Sequence, residues 1–158
     1  MSLTPETSPG FLLWHATLQW QRAVVAALKP WGVTHVQFVL LASAWWMSTH
    51  GEPPNQLALA RQAGVDVKMA SEVIRTLERK GLVVRTVDRS DTRARRVEPT
   101  AEGAAVAQAS IEGVESVDRA FFGRLEGSDA NRIGSILTVL AGIRALPEPR
   151  ASSPGQSL

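Results

Sequence analysis

Apolar positions recur along most of this chain at helical rather than strand spacing. One such run, Phe11–Lys29, is stopped by Pro30, which cannot continue a helix interior. Thr34 and Gln37 have the Thr-x-x-Gln spacing of a capping box, which predicts a second helix from His35 to about Ser48. His50-Gly51-Glu52-Pro53-Pro54 reads as a loop. Asn55 is then placed to cap a short helix to Ala63, with Gly64 as its stop. Asp66 caps a further helix through Lys80, which Gly81 terminates.

Beyond Gly81 the period changes. Leu82–Val87 is rich in β-formers, Asp88–Ala94 is polar, and Arg95–Pro99 returns as a second strand, which together predict a short hairpin with a charged tip. Thr100 is set to cap a long helix whose apolar positions Ala107, Ile111, Val114, Val117, Phe121 and Leu125 keep the α-helical period, with Gly127 ending it. Ser128 opens a last helix with Ile133, Ile136, Leu137, Leu140 and Ile143 on one side. Residues 1–9 and 147–158 read as flexible tails. The expected fold is mainly α with a small β-hairpin wing. Residues 51–99 form a winged helix-turn-helix, and the long apolar helices of 10–50 and 100–146 form a helical dimerisation region that a second copy of the chain covers.

The length of 158 residues suits one domain, and a 44% hydrophobic content is enough for a core, which excludes wholesale disorder. The absence of cysteine excludes disulfides, thiolate metal sites and a cysteine nucleophile, and fits a reducing compartment. No segment reads as a membrane span, and the first residues lack the basic and apolar regions of a secretion signal, so a cytoplasmic protein without membrane contact is expected. There is no Gly-rich phosphate loop, no G-x-S-x-G elbow and no carboxylate pair beside a histidine, so neither an enzyme nor a cofactor is expected. His15, His35 and His50 lie far apart without ligand spacing, so no metal site is expected.

The net charge of +2 hides an uneven distribution. Residues 1–60 carry two basic against two acidic side chains, residues 61–96 ten against five, and residues 97–158 five against eight. A basic centre between neutral and acidic flanks is the footprint of a polyanion-binding face. Within it, Ala70, Val73, Ile74 and Leu77 make the inner stripe of the second short helix, leaving Lys68, Ser71, Glu72, Arg75 and Arg79 outward. A helix of this size fits the major groove, where Arg or Lys donates to guanine and Glu accepts from cytosine. In the hairpin, Arg89, Asp91, Arg93 and Arg95 are the candidate contacts. An arginine on a ribbon enters the narrow minor groove, and Asp91, two positions before Arg93 on the same side of the ribbon, is expected to orient it. Taken separately, the helix face and the hairpin also suit a solvated surface of ion pairs.

Several residues carry a family likeness. They are Gly32-Val33-Thr34 leading to Gln37-Phe38, Leu59-Ala60, Ser71, the run Val73-Ile74-Arg75-Thr76-Leu77-Glu78-Arg79-Lys80-Gly81-Leu82, the wing pattern Asp88-x-x-Asp91-x-Arg93, and Thr100-x-x-Gly103. With these, over residues 11–145, the chain resembles the MarR-type (multiple-antibiotic-resistance regulator) winged-helix transcription factors. Pro99 departs from the family pattern, which has Leu there, and is expected to shorten the second strand. The resemblance implies a homodimer joined through the first and last two helices. It also implies a wing-tip arginine, here Arg93, steadied by an aspartate. Such regulators repress nearby genes and leave DNA when a small, often aromatic molecule binds.

Trp14, Trp20, Trp31, Trp45 and Trp46 all fall in the first 46 residues, where dimer-core packing accounts for most of them. Trp45, Trp46, His35 and Trp14 are the candidates for an effector pocket. The expected partners are double-stranded DNA, a second copy and a small aromatic effector. The expected function is that of a sequence-specific regulator, a ligand-responsive repressor acting as a homodimer on a pseudo-palindromic operator. The alternative is a winged-helix module for protein contact, which would tolerate a neutral or acidic wing.

Overall fold

In a computed structural model, which describes residues 4–143, side-chain caps start four helices where their sequence signals lie, the fourth being Thr100 at the start of the long helix from Ala101. Thr34 Oγ1 accepts from the Gln37 amide at 3.3 Å and Gln37 Oε1 accepts from the Thr34 amide at 3.2 Å, opening α2 (His35–His50). Asn55 Oδ1 accepts from the Ala58 amide at 2.8 Å and opens α3 (Gln56–Ala63). Asp66 Oδ1 accepts from the Met69 amide at 2.9 Å and opens α4 (Val67–Arg79). Between α3 and α4 the chain turns at Gly64, whose φ of 69° only glycine adopts without strain. Ahead of these, α1 (Pro9–Leu28) runs into a 3-10 turn, Lys29–Trp31.

Strands β1 (Val83–Val87) and β2 (Arg95–Pro99) pair antiparallel, from Val83↔Pro99 at the base to Val87↔Arg95 at the outer end. Pro99 does not shorten β2: it is the strand's last residue, and the next amide, Thr100, donates to the Leu82 carbonyl at 3.0 Å. The fold is mainly helical with one hairpin, a winged helix-turn-helix, as the pattern predicts.

Several boundaries differ from expectation. Helix α1 starts at Pro9, ahead of Phe11, and α2 runs on through His50, expected in the loop, with the His50 ring bonded back to the Trp46 carbonyl. Helix α5 (Ala101–Phe122) ends before Leu125, because Gly123 follows it and the chain turns, with the Leu125 amide donating to the Phe122 carbonyl at 3.0 Å. Gly127 therefore starts α6 (Gly127–Leu140) instead of ending α5. Ile143 lies past the end of α6, where Gly142 takes a φ of 66° and the Ile143 amide donates to the Thr138 carbonyl at 3.2 Å, a Schellman-type stop. Near the other end, Pro5–Thr7 form a 3-10 turn within the segment expected to be a tail. The expected tail at 147–158 lies outside the described residues.

The chain divides into two compact units at Phe121/Phe122. In the first unit, α2 is the central helix, packed against α1, α3, α4 and β2, and its Leu40, Leu41 and Ala44 are fully buried. Leu59 of α3, Ile74 and Leu77 of α4, Val83 and Val97 of the hairpin, and Ala107 of α5 complete one core. In the second unit, α6 leaves Leu137, Val139 and Leu140 exposed. Among the described residues no single helix is long and apolar enough to cross a membrane.

A very close backbone approach lies at the start of α5. Thr100 Oγ1 accepts from the Gly103 amide at 3.0 Å and itself donates to the Gly81 carbonyl at 2.7 Å. Gly103 is buried, and a Cβ there would overlap the Leu82 carbonyl oxygen and stand 2.7 Å from its carbon. These are backbone atoms, with no flexible side chain to give way. Gly103→Ala is therefore expected to destabilise the fold by about 3 kcal/mol. Urea unfolding checks this, and an unchanged midpoint would show that α5 moves aside freely.

Candidate nucleic-acid interface

Helix α4 buries Ala70, Ile74 and Leu77 on its inner side. That orientation leaves Lys68, Glu72, Arg75 and Arg79 exposed or half-buried on the outer side and Ser71 half-buried at the flank. The helix thus presents these five predicted residues on and beside its outer surface. Arg79 Nη2 donates to Thr76 Oγ1 at 2.8 Å, and Thr76 Oγ1 donates to the Glu72 carbonyl at 3.1 Å. Two residues missing from the sequence prediction also face solvent in the first turn, Val67 and Met69. Their signal was available: both precede Ala70, where the inner stripe begins.

Three of the basic side chains in this region bind groups on other elements. Lys80 Nζ donates to the Gly32 carbonyl at 2.7 Å and to Gln37 Oε1 at 2.8 Å, joining the end of α4 to the start of α2. Arg85 Nε and Nη2 donate to Glu78 Oε2 at 2.9 and 2.6 Å, and those bonds hold the Glu78 carboxyl below its usual range. Arg96 Nε meets Asp88 Oδ2 at 3.2 Å, while Nη1 meets Glu52 Oε2 at 2.7 Å and donates to the Pro53 carbonyl at 3.0 Å.

The wing turn joins Val87 to Arg95, and Arg89, Asp91, Arg93 and Arg95 are all exposed on or beside it. Asp88, one of the acids in the predicted charged tip, is instead only 4% exposed. It accepts from the Ser90 hydroxyl at 2.7 Å and the Ser90 amide at 2.9 Å. These two bonds, with help from Arg96 and against the opposing effect of burial, bring its carboxyl down to about 2. Asp91 acts differently from expectation: its Oδ1 accepts from the Arg93 backbone amide at 3.0 Å, so it shapes the turn. Strand alternation does not put Asp91 and Arg93 on one ribbon face, because both lie between the strands, where alternation no longer operates.

The effector-pocket candidates fall in different settings. Trp14 is exposed on α1, and Trp46 is exposed and stacks on His50 with ring centres 4.5 Å apart. Trp45 is half-buried against the core. His35 meets the edge of Trp20 at 5.2 Å, and the Trp20 indole donates to Asp118 Oδ1 at 2.7 Å. Burial lowers the His35 imidazole below its ordinary value, and Asp118 partly opposes that. A cavity of about 340 Å³ runs along α1, lined by Leu18, Gln21, Arg22, Val25, Ala26 and Lys29, and none of the four candidates lines it.

The arrangement offers guanidinium and ammonium donors from α4 (Lys68, Arg75, Arg79) and from the wing (Arg89, Arg93, Arg95), with Glu72 as an acceptor among them. That is chemistry suited to phosphates and base edges.

Comparison with known proteins agrees with this geometry. The MarR family model matches residues 33–94. The chain is similar to an uncharacterized HTH-type transcriptional regulator of Bacillus subtilis, YdcH, with 47% identity over 118 residues, 75% of this chain and 80% of that protein. It is 31% identical over 125 residues to the HTH-type transcriptional repressor Rv2887 of Mycobacterium tuberculosis, covering 79% of this chain and 87% of that one. Among solved structures, CouR from Rhodococcus jostii RHA1 bound to p-coumaroyl-CoA superposes with a TM-score of 0.78 at 27% identity, over 93% of this chain and all of that one.

The low Asp88 pKa fixes how the wing responds to acid. Its folded value, about 2, lies below the ordinary 3.8, so its stabilising effect is present above pH 3.8 and is lost as pH falls toward 2. The Ser90 amide resonance is expected to hold its position down to about pH 4 and to move only below it. In Ser90→Ala, which removes the largest cause of the shift, the change should begin at higher pH. Equal titration of wild type and Ser90→Ala by NMR would show that the Ser90 hydroxyl does not hold the Asp88 carboxylate.

Proposed function

This chain belongs to the MarR family and is a transcriptional regulator, and we propose that it is a ligand-responsive repressor acting as a homodimer on a pseudo-palindromic operator. The observation that carries the DNA-reading part is the sorting of cations. Lys80, Arg85 and Arg96 bind groups on other elements, whereas Lys68, Arg75, Arg79, Arg89, Arg93 and Arg95 face outward from α4 and the wing. In this reading residues 51–99 are the reading head. Helix α4 enters the major groove with Ser71, Glu72 and Arg75 toward base edges, and the turn carries Arg93 to the minor groove. Lys68 and Arg79 meet phosphate. The exposed Val67 and Met69 add apolar surface of the kind that meets a thymine methyl. A protein-contact module would have no need to segregate its cations in this way.

The dimer reading rests on apolar side chains left in water. Phe11, Leu12, Leu13 and Trp14 of α1 are 44–61% exposed, and in the second unit Val139 and Leu140 of α6 are 79% and 70% exposed. A second copy covering α1, α5 and α6, within the proposed dimerisation region of residues 10–50 and 100–146, removes this cost, about 25 cal/mol per Å² of apolar surface. Small-angle scattering at micromolar concentration should give the mass of a dimer, and a monomer would overturn this part. The effector is proposed to be a small aromatic molecule, as supported by the p-coumaroyl-CoA named with CouR, and Trp14, His35, Trp45 and Trp46 are the candidates to meet it. The site of action is the cytoplasm, with the DNA.

Titration of a duplex selected by the protein from a random-sequence pool tests the reading head. Arg75→Ala should cost about 1–3 kcal/mol, concentrated at particular base pairs, whereas Lys68→Ala should weaken binding to all sequences alike. Arg93→Ala should flatten the log–log salt dependence by about 0.9 for each phosphate it no longer neutralises. Wild-type affinity and salt slope in all three variants would refute the assignment.

A further inference from the structure

Arg96 belongs to the same basic run as Arg89, Arg93 and Arg95, and by charge alone it would be counted as another phosphate ligand. Its surroundings say otherwise. The side chain is 25% exposed and its guanidinium is shared among Asp88, Glu52 and the Pro53 carbonyl. Glu52 and Pro53 lie in the loop directly after α2, and that loop follows the outer edge of β2. The Val97 amide donates to the Pro54 carbonyl at 2.8 Å, and Asn55 bridges Arg96 in antiparallel fashion. Asp88 stands where β1 gives way to the turn: its amide donates to the Ala94 carbonyl at 3.1 Å and its carboxylate binds Ser90. One guanidinium thus joins the root of the turn that carries Arg89 and Arg93 to the end of the central helix.

We propose that Arg96 is a positioning residue, which through Asp88 and Glu52 tethers the wing to the loop after α2 and so aims Arg89 and Arg93 without itself touching DNA. The proposal rests on the reading of the wing as a DNA-binding element. The two acids do not contribute equally. The Asp88 side chain is 6% exposed and has little access to water that could replace a missing partner, whereas that of Glu52 is 81% exposed and holds Arg96 weakly.

The acids provide a test in which positioning and electrostatics have opposite signs. Asp88→Asn and Glu52→Gln each remove a negative charge near the DNA-facing surface, so charge alone predicts tighter binding to a polyanion. The tether predicts weaker binding, about tenfold for Asp88→Asn and about threefold for Glu52→Gln. Both should keep the wild-type salt slope, because every cation that meets phosphate is still present. Arg96→Gln should weaken binding at the same slope, and where that variant does not fold, the two acid variants carry the test. Affinities are measured at several salt concentrations on the duplex selected by the wild-type protein, and amide exchange across residues 88–97 is followed without DNA. Faster exchange with weaker, slope-preserving binding is the expected result. Equal or tighter binding by both acid variants, or a slope flattened by about 0.9 in Arg96→Gln, overturns the tether while leaving the regulator reading intact. A wild-type protein that selects no duplex overturns that reading, and the DNA-aiming role of Arg96 with it.

Discussion

The beginning of α5 comes so near the corner after α4 that only a hydrogen atom fits at residue 103, and this close approach governs how α4 and the hairpin are held. Leu82 is common to all of them. Its amide donates to the Leu77 carbonyl of α4, its carbonyl accepts from Thr100, and its backbone is the surface against which Gly103 packs. Val83↔Pro99, the innermost strand pair, follows at once. Helix α4, the hairpin base and the first turn of α5 are therefore fastened at one point, and the wing extends from a fixed root. Toward the turn, Asp88 and Arg96 make the next contacts that tie the hairpin to its surroundings.

Helix beginnings were legible because capping is local: Thr34, Asn55 and Asp66 each bind an amide three residues on, so sequence spacing is the geometry. The limits of β2, Arg95–Pro99, were also legible from the change of period and the polar turn before them. The end of α5 was not. An apolar stripe continues through Leu125 on paper, and the intervening Gly123 weighs more in the folded chain than the stripe does. Within the candidate site, the outward face of α4 followed directly from its inner stripe. The Gly32 and Pro53 carbonyls that Lys80 and Arg96 reach did not, since they lie 48 and 43 residues away and no periodicity encodes them.

Internal pairing changes the electrostatic character of the region more than its net charge. Arg85 with Glu78 and Arg96 with Asp88 withdraw charges in opposite pairs, so the basic surplus of residues 61–96 survives while its acidic members thin out. Asp66 and Asp91 are turned to backbone amides. Glu72 is then the acid carried on the outer face of α4, amid Lys68, Arg75 and Arg79. A single acceptor among donors tells base edges apart in a way that a uniformly cationic helix does not.

The placement of the tryptophans has an optical consequence. All five precede residue 47 and the chain contains no tyrosine, so its near-ultraviolet emission arises from α1, the turn after it, and α2. The helix-turn-helix and the wing are spectroscopically dark. Trp14, open to solvent, and Trp20, hydrogen-bonded to Asp118, sit in contrasting polarity on one helix. Burial of the α1 surface by another chain or a small molecule would shift the emission, whereas binding confined to Arg93 would leave it unchanged. The protein thus carries an intrinsic fluorophore set that separates events at its apolar helices from events at α4 and the wing, with no label attached.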